Sequence, residues 1–148
     1  MSDIDPAAYR SFNLVIADNA DAFWLAGRDG ADRIDRVAIP PGLAMLTSAD
    51  LNDTSHARIR LYLPKFQAAA EPDPDTGDWA AWQALLSNAS PGPNGDAAAA
   101  MTIETSLGFE TVSSSLIALP SVERPERAAI WLFSAGRPDQ NEYEKILS

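Results

Sequence analysis

Apolar and polar positions alternate along this chain so as to predict two hairpins separated by a helical middle. Phe12-Asn13-Leu14-Val15-Ile16-Ala17 is apolar on both faces of an extended chain and reads as a buried strand. Asp18-Asn19-Ala20-Asp21 follows as a turn, because Asn and Asp tolerate the left-handed region and close local hydrogen bonds. Ala22-Phe23-Trp24-Leu25-Ala26 returns as the hairpin partner. Arg33 to Ile39 has mixed polarity and predicts a weaker strand near a sheet edge, stopped by Pro40-Pro41-Gly42 because proline donates nothing to a ladder. Leu43-Ala44-Met45-Leu46 predicts a short buried strand, and residues 6–10 a helical turn or docking arm.

Beyond Leu46 the chain passes through a polar corner, Thr47 to His56, and leaves it as a helix. Asp53 or Thr54 is placed to cap that helix by accepting from free N–H groups. Ile59, Tyr62, Leu63 and Phe66 fall on one stripe, while Arg58, Arg60 and Lys65 face outward. Pro64 lacks a backbone donor and predicts a bend or an end near that point. A second helix, capped by Asp78, carries Trp79, Trp82, Leu85 and Leu86 on one face. Flexible linkers are expected near 71–78 and 89–100. Met101-Thr102-Ile103 predicts a short strand, and Thr111 to Leu119 a clear one paired with Ala128 to Phe133. Tyr143, Ile146 and Leu147 are expected to pack back on the body. The fold class is therefore α+β, a mainly antiparallel sheet with two mid-chain helices, in a single domain spanning 1–148.

Charge narrows the partners. Asp and Glu outnumber Lys and Arg 21 to 11, which disfavours a phosphate backbone and an anionic membrane surface. No nucleic acid and no integral membrane segment are expected, and the balance fits a cytoplasmic protein. There is no cysteine, so disulfides, thiolate nucleophiles and Cys-ligated metals are excluded. Residues 71–78 superficially suggest a calcium loop, but a proline intrudes and position 12 counted from Asp73 is Ala84 instead of Glu. A Ser-His-Asp triad would have to draw on Ser113, Ser114 or Ser115 with His56 and Asp50 or Asp53, with no nucleophile elbow to present the serine. Asp50 and Asp53 read as a helix-start pair before a metal pair. The corner concentrates hydroxyls, acids, an Asn and the sole His, where a helix N-terminus also favours anions.

Three runs together add a resemblance. Phe12-Asn13-Leu14-Val15-Ile16-Ala17-Asp18, then Leu46-Thr47-Ser48-x-Asp50-Leu51-Asn52-Asp53 with Arg58-Ile59 and Leu63-Pro64-x-Phe66, and finally Gly108-Phe109-Glu110-Thr111-Val112-Ser113-Ser114-Ser115 resemble the transport and Golgi organisation protein 2 family, also called NRDE. The match covers that family's C-terminal part. The resemblance implies one layer-set of an N-terminal-nucleophile-hydrolase-like αββα sandwich. Members begin with Met-Cys and carry an Asn-Arg-Asp-Glu motif, neither of which is present here. Glu110 stands where a glycine is usual and Ser113 where a Cys is frequent.

With no Cys nucleophile, the expected function is a non-enzymatic binding or carrier role, in haem or lipid handling by resemblance. Haem would draw on His56, the methionines or the tyrosines, and no cofactor is otherwise indicated. The alternatives are an N-terminal-nucleophile amide or ester hydrolase using Ser2 after loss of Met1, and a structural remnant. The expected partner is a second copy or a missing N-terminal half, because half a sandwich leaves apolar sheet surface bare. The candidate ligand-binding residues are Thr47, Ser48, Asp50, Asn52, Asp53, His56, Arg58, Thr111 and Ser113, with none assigned as catalytic and none to a metal.

Overall fold

A computed structural model describes residues 9–147 as an α+β chain with two helices and two three-stranded antiparallel sheets. Ser2 and residues 6–8, invoked above, lie outside the described residues. The chain forms two compact units, 1–53 and 54–148.

In the first unit, β1 (Phe12–Ala17), β2 (Ala22–Gly27) and β3 (Asp35–Ala38) form a sheet in that order. The Asp18 carboxylate accepts from the N–H groups of Ala20 and Asp21, both at 2.8 Å, so the turn closes on its own side chain. Leu14 faces Leu25 and Val15 faces Trp24 across the hairpin. Trp24 and Ala26 alternate into the buried face, with Asn13 beside them. Strand β1 is not buried as its composition suggests. Leu14, Val15 and Ile16 are 48, 46 and 52% exposed, because β1 is an edge strand paired on one side only.

Leu43 to Leu46 forms no strand. Both main-chain groups of Met45 are engaged by Asn52, whose Oδ1 accepts from Met45 N–H (2.7 Å) and whose N–H donates to Met45 C=O (2.8 Å). No donor or acceptor of that residue is left for a ladder. Asn52 holds this clasp at φ 57°, a left-handed conformation that Asn tolerates better than most residues.

In the second unit, α1 (Ala57–Ala68) starts later than expected, with His56 at the N-cap position and no side-chain cap. The residues before it are held otherwise, since Arg60 donates to the carbonyls of Thr54 and Ser55, both at 3.0 Å. Pro64 does not stop the helix, which continues to Ala68 and closes through Ala69 N–H. The apolar stripe forms as expected, with Ile59 and Tyr62 buried and Phe66 edge-on to Trp82 at 5.3 Å. Helix α2 (Ala80–Leu86) begins after Trp79, and the Asp78 carboxylate accepts from Ala80 N–H at 3.1 Å.

The stretches read as linkers carry structure of their own. Asp73 and Asp78 pair across a tight turn. Two single-turn 3-10 helices, Pro93–Gly95 and Ala97–Ala99, lead to the buried Ala99 and Ala100. Met101 to Ile103 is no strand. Met101 and Thr102 both donate to Asn88 C=O, and Thr102 Oγ1 donates to Leu86 C=O at 2.8 Å, which docks the segment on the end of α2. Strands β4 (Ser113–Ala118), β5 (Ile130–Ala135) and β6 (Glu144–Leu147) form the second sheet in that order. The tail thus adds a third strand, and Tyr143 O–H meets Ser114 Oγ at 2.6 Å. No helix among the described residues is long and apolar enough to cross a membrane.

Candidate functional site

Asn13 builds the polar corner of the first unit. Its side-chain amide donates to the carbonyls of Thr47 and Ala49, both at 2.9 Å, and its Oδ1 accepts from Trp24 Nε1 at 3.0 Å. An amide in an otherwise apolar strand thereby pins the corner to the sheet. Thr47 Oγ1 accepts from Ala49 N–H at 3.2 Å. Arg28 forms an ion pair with Asp50 and lies over the Trp24 ring at 5.7 Å. Asp53 N–H closes onto Asp50 C=O at 3.1 Å. A cavity of about 330 Å³ opens among Ser11, Phe12, Asn13, Arg28, Thr47 and Ser48. The first unit therefore brings Thr47, Ser48 and Asp50 to Asn13 and Arg28, which the sequence pattern did not single out, while Asn52 bonds Met45 and Asp53 N–H bonds Asp50 C=O. The signal for Asn13 was available, since an amide in the middle of an apolar strand needs partners.

His56, Arg58, Thr111 and Ser113 belong to the second unit, and among the described residues no hydrogen bond joins any of them to another. His56 has a buried Nδ1 without a partner. Arg58 does not face outward as expected. It is half-buried, donates from Nη2 to Ala98 C=O at 2.7 Å, and leaves Nε without a partner. Burial lowers its pKa, opposed by Tyr62 and Asp96. Thr111 Oγ1 accepts from Ile103 N–H at 2.8 Å, a turn-closing role. Ser113 is exposed at the start of an edge strand, opposite Ala135.

Two of the three triad serines, Ser114 and Ser115, are otherwise engaged. Ser114 Oγ bonds Tyr143 and Ser115 Oγ accepts from Trp131 Nε1 at 3.2 Å, so neither meets a histidine. A general base must stand within hydrogen-bond reach of the proton it removes, and among the described residues no hydrogen bond joins either hydroxyl to His56.

Two further cavities lie in the second unit. One of about 350 Å³ is lined by Leu119, Pro120 and Ile130 together with Asp75, whose carboxylate is shared by Arg124 (3.2 Å) and Arg127 (2.7 Å). The other, about 370 Å³, lies beside Arg137. Arg137 is buried and grips Asp139 with Nε (3.1 Å) and Nη2 (2.8 Å) while Nη1 pairs with Glu104. Asp139 and Glu104 hold its pKa above the usual arginine range, and Arg137 lowers that of Asp139. None of the three cavities is lined by His56, a methionine or a tyrosine. Tyr62 O–H is committed to Asn88 and Tyr143 to Ser114. His56, whose Nδ1 has no hydrogen-bond partner, lies outside these three cavities, so none of them presents it as a haem ligand. Compared with protein families, with curated proteins and with solved structures, the chain matches none.

Proposed function

We propose that the chain is a non-enzymatic binding member of the NRDE (transport and Golgi organisation 2-like) family, corresponding to its C-terminal part, and that it works by association. On this reading its open sheets are completed by further strands, from a second copy or from a segment like the family's N-terminal region, toward an αββα sandwich. The observation that carries the reading is the half-exposure of Leu14, Val15 and Ile16 on one edge strand. Three consecutive apolar residues point to both faces of a sheet, and half of their area stays in water. Covering it would contribute about 3 kcal/mol, taking half of the usual burial gain per side chain.

The chemistry of the corner supports binding over reaction. Its amides and one of its acids already hold the fold, through the Asn13, Asn52 and Asp50 contacts. Sedimentation velocity over a wide concentration range tests the association, and a strictly monomeric, compact species overturns it. The ligand class carried over from the family, haem or lipid, is tested first at the unpartnered ring nitrogen: haem titrated into wild type and His56→Ala. No spectral change in either removes haem from the reading.

A further inference from the structure

We infer that β1 pairs antiparallel with β1 of a second copy of this chain, Leu14 opposite Leu14, joining two three-stranded sheets into one of six strands. The inference rests on the association reading above and names its surface.

Hydrogen-bond phase comes first. Asp18 N–H donates to Asp21 C=O at 2.9 Å, and Ala22 C=O turns away from β1 to accept from Ile39 N–H at 2.8 Å. Bonded pairs alternate along an antiparallel ladder, so Phe12, Leu14 and Ile16 direct their main-chain groups toward β2. Asn13 and Val15 direct theirs outward. Two copies aligned on Leu14 place Asn13 of each opposite Val15 of the other, outward group to outward group.

Symmetry restricts the choice further. A two-fold axis through a continuous sheet keeps each face on its own side, so paired residues must share parity along the strand. The alignment on Leu14 satisfies this and, followed past the ends of β1, brings Arg10 of each copy toward Asp18 of the other, with Ser11 N–H staying on Asp29 Oδ1 of its own chain (2.8 Å). Shifting to Val15 would oppose Asp18 to Phe12, and shifting to Asn13 would oppose Arg10 to Ile16. Arg10 is exposed and makes no hydrogen bond or ion pair among the described residues. Asp18 is exposed too, and the backbone N–H groups of Asp21 and Ala20 favour its ionised form. Opposite charges across strands stabilise pairing, and like charges oppose it.

The other edges are less suited. Strands β3 and β6 carry charges within their four residues, Asp35 and Arg36 in one and Glu144 and Lys145 in the other, and such charges guard an edge. Strand β4 is followed closely by Pro120 and has no base to answer Glu110. Strand β1 has six residues without charge or proline between its complementary ends.

Because the chain contains no cysteine, one introduced thiol reports the register. Leu14→Cys places two sulfurs on a non-bonded pair, whose Cα atoms stand about 4.5 Å apart, within disulfide range. Ile16→Cys, equally exposed on the same face, places them four residues out of line, about 13 Å apart. Mild oxidation is expected to convert Leu14→Cys to a covalent dimer at least about tenfold faster than Ile16→Cys. Arg10→Glu turns two attractions into two repulsions and should raise the dissociation constant roughly ten- to thirtyfold, while Arg10→Lys should not. Equal cross-linking of the two cysteine variants, or an unchanged constant for Arg10→Glu, overturns the inference. If wild type associates but Leu14→Cys does not cross-link, the register fails and the association reading stands. If wild type is monomeric throughout, both fail.

Discussion

Replacing Asn13 tests whether one amide holds the polar corner to the sheet. Asn13→Ala removes two donated bonds of 2.9 Å, to Thr47 and Ala49, and one accepted bond of 3.0 Å from the buried Trp24. Each bond contributes on the order of 1 kcal/mol net, and an indole N–H left buried without a partner adds a desolvation cost. The expected loss is about 2–4 kcal/mol. Asn13→Asp separates the donors from the acceptor. It keeps an oxygen for Trp24 but sets a carboxylate against two carbonyl oxygens, so its loss should match or exceed that of the alanine. Those carbonyls favour the neutral acid, so the folded pKa of the introduced Asp rises. Its contribution is then present below the unfolded value and lost as pH rises through the folded one. Asn13→Asp should therefore gain on wild type as pH falls toward about 4. Urea unfolding followed by tryptophan fluorescence gives the free energies, and the Trp24 indole N–H resonance reports its bond directly. A loss for Asn13→Ala below about 0.5 kcal/mol, with that resonance unmoved, would refute the reasoning.

Contacts within the second unit make further predictions. Asp139 has its pKa lowered by Arg137, so its stabilisation is present above the unfolded carboxylate range and lost as pH falls through the folded value. Asp139→Asn should flatten the acid limb of a stability profile measured below about pH 4. Tyr143 has its pKa raised by burial, against an opposing bond to Ser114, so its neutral form stabilises the fold and that support is lost above about pH 10. Tyr143→Phe should cost about 1 kcal/mol in denaturant and remove the late-titrating phenol from an ultraviolet pH titration. Gly92→Ala brings a new Cβ to 2.6 Å from Ala99 Cβ, which sits on buried backbone and cannot swing aside. A loss of about 1–3 kcal/mol is expected from thermal unfolding.

Much of the architecture was legible because hydrophobic spacing is a strong signal. The β1–β2 hairpin, the edge strand β3, the Ile59–Tyr62 stripe and the β4–β5 hairpin follow from it. What escaped was decided by side chains reaching back to the main chain. Leu43 to Leu46 has strand composition, yet Asn52 takes both polar groups of Met45. The start of α1 moved because Arg60 holds the carbonyls of Thr54 and Ser55, leaving His56 to begin the helix. Arg58 looked solvent-facing by helical phase, but Ala98, forty residues on, supplies its acceptor. The corner was legible as a cluster of polar residues. Asn13 announced a need for partners by its place in an apolar strand, but not which ones, because the carbonyls it binds lie thirty-four and thirty-six residues away.

The bare flank of β1 also bears on how the chain is made. Residues 12–17 are synthesised before any residue of the second unit. Six uncharged residues with high strand preference are then free to meet the same stretch on a neighbouring nascent chain. Only Arg10 and Asp18 at the ends select one alignment over a growing stack, so slow, cool synthesis should favour soluble product.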